Sequence, residues 1–139
     1  MADQTVVDKP LPAPIEITAP FWDGLKRHLV RLQRCDACQA WVWYPRARCT
    51  ECLSDQLSWQ TVSGAGTIHT FTVARQATHP AFAQEVPQLL AVVELEEGVK
   101  MTTTLVGTTP EALRVGQRVE PVFDDTLTMT LLRFRPVLA

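Results

Sequence analysis

Apolar residues are spaced differently in three successive segments of the chain, and the spacing predicts three structural units. Residues 1–19 contain Pro10, Pro12 and Pro14 and show no regular periodicity, which predicts an extended N-terminal arm. Residues 20–56 begin with helical spacing and then partly alternate, and residues 57–139 alternate in short runs. We interpret the arm as a disordered tail in the isolated chain or, alternatively, as a segment that lies on a partner.

The second segment is predicted to open with a short helix that runs from Thr18 or Ala19 to about Lys26. Thr18 is a suitable N-cap, and Pro20 fits the first turn. The apolar side chains of the helix share one face: Phe21, Trp22 and Leu25. Two strands are expected next, HLVRLQR over residues 28–34 and a return strand in WVWYPRAR that ends at Pro45.

The third segment is predicted to form a small closed β-barrel from about five strands. Gly64-Ala65-Gly66 lies within the first strand-like stretch, and such glycines mark a bulge or a sharp bend. Glu96-Glu97-Gly98 predicts a hairpin turn, and Leu90 is expected in the core of the strand before it. Five strands with little helix predict a barrel of the OB type over residues 57–139, in a mainly β protein.

All four cysteines lie in two C-x-x-C pairs, Cys35 with Cys38 and Cys49 with Cys52. Two such turns supply four thiolates, the tetrahedral set that zinc prefers in structural sites. Four thiolates leave no open position for water or substrate, so the predicted zinc is structural. Two alternatives remain. One is iron bound by the same four thiolates, because spacing alone does not separate zinc from iron. The other is a pair of disulfides. Residues 20–56 are therefore predicted to be a helix plus a zinc ribbon.

Composition narrows the class of protein further. The chain is 46% hydrophobic and 20% charged, as in ordinary globular domains. No apolar run approaches the roughly 18 residues of a membrane helix, and the N-terminus lacks the basic start and apolar core of a secretory signal. We therefore expect a cytoplasmic protein, in which reduced thiols disfavour disulfides.

Basic and aromatic residues are concentrated around the cysteines. Six of the 13 basic residues lie within residues 26–48, where Asp36 is the only acidic residue. Trp41, Trp43 and Tyr44 are interleaved with them. This arrangement indicates either a binding site for an anion, such as the nucleotide tail of coenzyme A, or simply a solvated face of the ribbon. Among these residues the candidate ligand-binding side chains are Trp43, Arg46 and Arg48.

No catalytic constellation is visible in the sequence. There is no phosphate loop, nucleophile elbow or dinucleotide fingerprint. His28 is expected on the ribbon surface and His69 to be structural, whereas His79 lies in the longest loop and is a further candidate for lining a ligand pocket. No catalytic residue is predicted.

With these features in place, the chain resembles the family catalogued as domain-of-unknown-function family 35. The resemblance runs from about Pro20 to the end and depends on several short motifs in order: Phe21-Trp22, Leu32-Gln33-Arg34-Cys35, Tyr44-Pro45-Arg46, Ser63-Gly64-Ala65-Gly66-Thr67-Ile68, Phe71-Thr72-Val73, Val93-Glu94-Leu95-Glu96-Glu97-Gly98 and Gly116-Gln117-Arg118-Val119. One departure is that Gln39 and Leu53 occupy the positions after each second cysteine, where glycine is usual.

The resemblance implies a rubredoxin-like zinc ribbon followed by an OB fold. It also implies a non-catalytic accessory subunit of thiolase-like acyl-CoA enzymes, among them aldolases that shorten steroid side chains. We expect the assembly to be a hetero-oligomer, specifically a heterotetramer. A MaoC-type hydratase is expected as a further partner, and acyl-CoA as a ligand.

Two other classes of function stay open at this stage. One is a self-standing acyl-CoA hydratase or thioesterase-like enzyme. The other is an OB protein that binds single-stranded nucleic acid, which the excess of acidic over basic residues in the barrel segment disfavours.

Overall fold

The computed structural model describes residues 9–137. It is a mainly β structure with one α-helix, α1 (Ala19–Lys26), and two short 3-10 helices at Pro80–Glu85 and Pro110–Ala112. The strands are β1 (Val30–Cys35), β2 (Trp41–Val42), β3 (Leu57–Val62), β4 (Gly66–Ala74), β5 (Gln88–Leu95), β6 (Lys100–Leu105), β7 (Arg118–Asp124) and β8 (Leu131–Pro136).

The strands form two separate sheets. β1, β2 and β3 make a three-stranded antiparallel sheet in the order β2-β1-β3. The other five close into a barrel in the order β4-β5-β6-β8-β7, in which only the β6–β8 contact is parallel. This five-stranded closed barrel confirms the predicted OB-type fold.

β3 pairs with the ribbon and not with the barrel. The sequence assigns everything from Leu57 onward to the barrel, but β3 pairs with β1 along its whole length, from Cys35 opposite Leu57 to Val30 opposite Val62. The barrel starts at Gly66. The return strand β2 is also shorter than predicted, because it ends at Val42 and not at Pro45. Pairing between strands that are 22 residues or more apart leaves no trace in local periodicity.

The barrel core is built on strict alternation along β5. Leu89, Ala91, Val93 and Leu95 are buried, and the residues between them are half-buried. The prediction that Leu90 lies in the core is therefore wrong, since Leu90 is on the opposite face of the strand. Both faces of β5 carry apolar side chains, so the sequence did not reveal which face would point inward.

Gly66 lies at the start of β4, directly against the backbone of β5. A Cβ at this position would clash with the carbonyl oxygen of Glu94, so only glycine fits. The bulge predicted at the glycines lies slightly further along, since the β4–β5 register shifts between Ile68 and Thr70. The predicted hairpin between β5 and β6 is confirmed, with Gly98 in the left-handed region.

The helix and the arm fasten the ribbon to the barrel. α1 has its predicted bounds, but Thr18 makes no side-chain cap; its Oγ1 instead accepts a hydrogen bond from Ile15 N at 3.0 Å. Lys9 pairs with Glu85 of the first 3-10 helix at 2.6 Å. Residues 1–8, the first part of the predicted arm, lie outside the described residues. None of the helices described is long and apolar enough to span a membrane.

Candidate metal centre and neighbouring cavity

The four cysteine sulfurs converge on one point between the two C-x-x-C turns. All four Sγ atoms lie within 4.8 Å of one another. The Cys35–Cys52 and Cys38–Cys49 Sγ distances are both 3.6 Å. A zinc tetrahedron with Zn–S bonds of about 2.3 Å requires sulfurs about 3.8 Å apart, whereas a disulfide requires about 2.05 Å. The arrangement therefore fits a metal and excludes the disulfide alternative.

Each turn directs backbone N–H groups at its own sulfur. Cys38 N lies 3.4 Å from Cys35 Sγ, and Glu51 N lies 3.3 Å from Cys49 Sγ. The Cys38 amide is the main cause that lowers the pKa of Cys35 to about 7. The amides of Cys52 and Glu51 likewise lower the pKa of Cys49. These amides therefore favour the thiolate form of the first cysteine in each pair, whereas the pKa values of Cys38 and Cys52 are raised.

The two turns are near copies of one another, down to the residue before each pair. The amide of Gln39 donates to Cys35 O, and the amide of Leu53 donates to Cys49 O. Arg34 Nε donates to Gln39 O at 3.1 Å, and Arg48 Nη1 donates to Leu53 O at 3.2 Å. The motif is thus Arg-Cys-x-x-Cys followed by a left-handed residue. The repeated arginine was a signal in the sequence that spacing arguments about cysteine alone overlooked.

Gln39 and Leu53 both adopt φ 65°, the conformation in which glycine is usual. The departure from glycine therefore does not change the path of the turn. It means that two residues with a Cβ are held in the left-handed region, which is unfavourable for them.

A buried side chain that sequence reasoning missed supports the ribbon from behind. Gln33 is buried on β1, and its amide pairs with the backbone of Arg46 in both directions. Nε2 donates to Arg46 O at 2.9 Å, and Oε1 accepts from Arg46 N at 2.7 Å. This pair holds the segment between β2 and the second cysteine turn as a strand partner would.

The four candidate ligand-binding side chains do not converge. Arg46 is exposed, and Arg48 supports the second cysteine turn. His79 belongs to the barrel half, where its Nδ1 accepts a hydrogen bond from Ala81 N at 3.0 Å and so caps the first 3-10 helix. Only Trp43 lines the cavity described below. Ligand roles for these residues stay predictions.

That cavity lies where α1, the segment after β2 and the barrel meet. Its volume is about 450 Å³, and its lining is mainly aromatic and aliphatic, with Phe21, Trp22, Trp43, Tyr44, Met101 and Leu132 among the residues that form it. The ring centroids of Phe21 and Trp43 are 5.0 Å apart. The aromatic residues stand out in the sequence, but nothing local indicates that β6 and β8 complete the wall.

The other two histidines have different surroundings. His28 Nε2 lies 2.7 Å from Asp125 Oδ2, and its ring stacks on Phe123 at 4.9 Å. Hydrogen bonds from Thr130 first and His28 second lower the pKa of Asp125. His28 is exposed, as predicted, yet it joins the end of α1 to the barrel. His69 is exposed on β4.

Comparison with known proteins adds to this geometry. Residues 22–58 match the family model described as the ChsH2 rubredoxin-like zinc ribbon domain, and residues 59–124 match the ChsH2 C-terminal OB-fold domain. A solved structure titled "Ltp2-ChsH2(DUF35) aldolase" is 32% identical, with a TM-score of 0.83 over 92% of this chain and 100% of that chain. A DUF35 domain-containing scaffold protein of Methanocaldococcus jannaschii is 30% identical and is covered over 88% of its length.

The chain belongs to the DUF35 family. The zinc-ribbon model spans all four cysteines of this DUF35 protein, and together with the sulfur geometry it supports a structural zinc. Another relative is named a probable enoyl-CoA hydratase alpha subunit, from Thermomonospora curvata, at 36% identity over 136 residues. The DUF35 chain spans two fifths of the length of that relative (40%).

Proposed function

We propose that this DUF35 protein is a non-catalytic accessory subunit that docks on a thiolase-like acyl-CoA enzyme. The observation that carries the proposal is its match to one chain of the structure titled "Ltp2-ChsH2(DUF35) aldolase" over the full length of that chain, together with the two ChsH2 family models. The name of the archaeal relative, a scaffold protein, agrees with a supporting role. We extend the proposal to the assembly and its substrate. The assembly would be a heterotetramer, and the acyl group of its acyl-CoA substrate would be a steroid side chain.

The chemistry of the metal centre agrees with a structural, non-catalytic role for this chain. Four thiolates complete the tetrahedron of a structural zinc and leave no position for a substrate. Bound zinc would supply rigidity, because it would join Cys35, the last residue of β1, to Cys49, a buried residue of the second turn. The cysteine turns would then present a fixed surface to a partner.

The cavity next to the ribbon is our candidate for the acyl part of an acyl-CoA. Its aromatic and aliphatic lining matches an apolar acyl group, and ligand pockets of this size and character are typical of small-molecule sites. Trp43 is the one predicted ligand residue that reaches it. Arg46 is an exposed cation on the segment that follows Trp43 and is available to a phosphate.

A second candidate partner is a hydratase subunit, which the name of the Thermomonospora curvata relative favours. The matched region is two fifths of that relative, so in this case the partner would correspond to the remaining part of such a protein.

Co-expression tests the proposal. Thiolase-like proteins of the source organism are produced one at a time with the tagged chain, and the captured complexes are sized by light scattering and titrated with an acyl-CoA and with free CoA. We expect one thiolase-like protein to co-purify in fixed ratio and the complex to bind acyl-CoA more tightly than free CoA. If no such protein associates, or if it is fully active alone, the proposal is wrong.

A further inference from the structure

The tip of the second cysteine turn carries an apolar side chain in an unfavourable position. Leu53 has φ 65° and is 69% exposed. Within residues 9–137 it belongs to neither apolar cluster of the protein. Isolated exposed leucines are ordinary, but a branched residue in the left-handed region is not.

The first cysteine turn provides a comparison, because the residue at the equivalent position, Gln39, has a side chain that makes a local hydrogen bond. Gln39 has the same φ, and its amide Nε2 donates to Asp36 O at 3.1 Å. The matching interactions of Leu53 all come from its backbone: its amide donates to Cys49 O, and its carbonyl accepts from Arg48. Glycine would make both of those bonds without strain. The two bonds that hold this turn therefore do not require a leucine, and the side chain lies outside both apolar clusters of the described residues.

We propose that Leu53 is an anchor residue that inserts into an apolar socket on the thiolase-like partner. This inference rests on the proposed function and names a contact for it. Outliers in backbone conformation that serve no internal purpose point to function, and anchors that fill a partner's pocket dominate interface energetics. Zinc bound by the four thiolates would keep the tip rigid, so that little conformational entropy would be lost on docking.

The surroundings of Leu53 favour a different protein over a second copy of this chain. Arg48, Glu51 and Asp55 are exposed close by in the sequence and would form a charged rim around a single projecting side chain. A two-fold contact needs a surface complementary to itself. A projecting leucine with a charged rim instead requires a pocket on the other molecule, with polar groups at its edge.

The test measures the affinity of the co-purifying thiolase-like subunit for the full-length chain and its variants. Leu53→Ser is expected to weaken binding roughly 10- to 100-fold, the effect of exposing a buried leucine. The matched control is Val115→Ser, since Val115 is 67% exposed in a turn of the barrel half, and its affinity should stay within about two-fold of wild type. Zinc content and thermal unfolding verify that each variant is folded.

Leu53→Gly separates anchoring from turn geometry. Glycine relieves the left-handed strain, so this variant should melt at a higher temperature than wild type and still bind as weakly as Leu53→Ser. Gln39→Gly, at the equivalent position of the first turn, should keep wild-type affinity.

Wild-type affinity in both Leu53 variants would overturn the inference while leaving the proposed function intact. Self-association of the wild type that Leu53→Ser abolishes would also overturn it, by assigning the contact to a second copy. If the wild type binds no thiolase-like subunit, the proposed function itself fails, and the anchor fails with it.

Discussion

Single residues decide how the ribbon keeps its shape, and Gln33 is the clearest case. Its buried amide takes the place of a neighbouring strand for Arg46, with one bond in each direction. The segment that leads to the second cysteine turn has no long strand to hold it, because β2 ends at Val42. One side chain thus replaces a ladder of backbone hydrogen bonds.

We expect Gln33→Leu to lower the free energy of unfolding by about 2–3 kcal/mol. The change keeps the bulk of the side chain but leaves the N–H and C=O groups of Arg46 without their partner. Gln60→Leu is the control, because Gln60 is exposed on β3 and should change stability by less than about 0.5 kcal/mol. Urea unfolding of both variants provides the comparison, and equal losses would contradict the role of Gln33.

At the scale of elements, β5 shows how alternation and burial are related in this barrel. The strand has apolar residues on both faces, but only the odd-numbered positions from Leu89 to Leu95 reach the core. The even-numbered face forms part of a shallow surface depression with Thr70 and Phe71. The two neighbours Leu89 and Leu90 therefore contribute to stability in different ways.

Leu89→Ala should cost about 2–5 kcal/mol of unfolding free energy, since it opens a cavity in the core. Leu90→Ala should cost clearly less, about 1 kcal/mol, because part of that side chain is already exposed to water. Both values come from chemical denaturation at one pH. A larger loss for Leu90 than for Leu89 would reverse the assignment of the two faces.

At the scale of the whole molecule, two sheets with different sources of stability share one short chain. The larger apolar core consists mainly of barrel residues, but it includes Leu32 of β1, and Trp41 and Val62 of the ribbon sheet pack against it. The smaller cluster of the ribbon contains Cys35, Val42 and Cys49 as its buried members. Contacts between Phe21 and Trp43 and between His28 and Asp125 link the helix to the ribbon and to the barrel. The ribbon therefore depends on its metal more than the barrel does.

Removing one ligand should consequently affect the ribbon first. Cys38→Ser is expected to lose bound zinc and amide-exchange protection in β1 and β3 while β5 stays protected, because metal-binding energy at such sites is folding energy. Ala37→Ser, an exposed change in the same turn, should retain both zinc and protection. Metal analysis and hydrogen exchange measure the outcome; full zinc occupancy in Cys38→Ser would contradict the four-thiolate site.

The sequence by itself determined the features that depend on neighbours along the chain. The C-x-x-C spacing predicted the metal site, the helical spacing around Phe21 predicted α1, and Glu96-Glu97-Gly98 predicted the β5–β6 hairpin. Only the tertiary structure decided that β3 joins the ribbon, that Leu89 and not Leu90 faces inward, and that Arg48 and His79 make local structural bonds. It also decided that the helix, the segment after β2 and the barrel together line a cavity to which Trp43 contributes. The physical reason is that turns, caps and ligand spacings are set within a few residues, whereas strand pairing and burial depend on segments far apart in sequence.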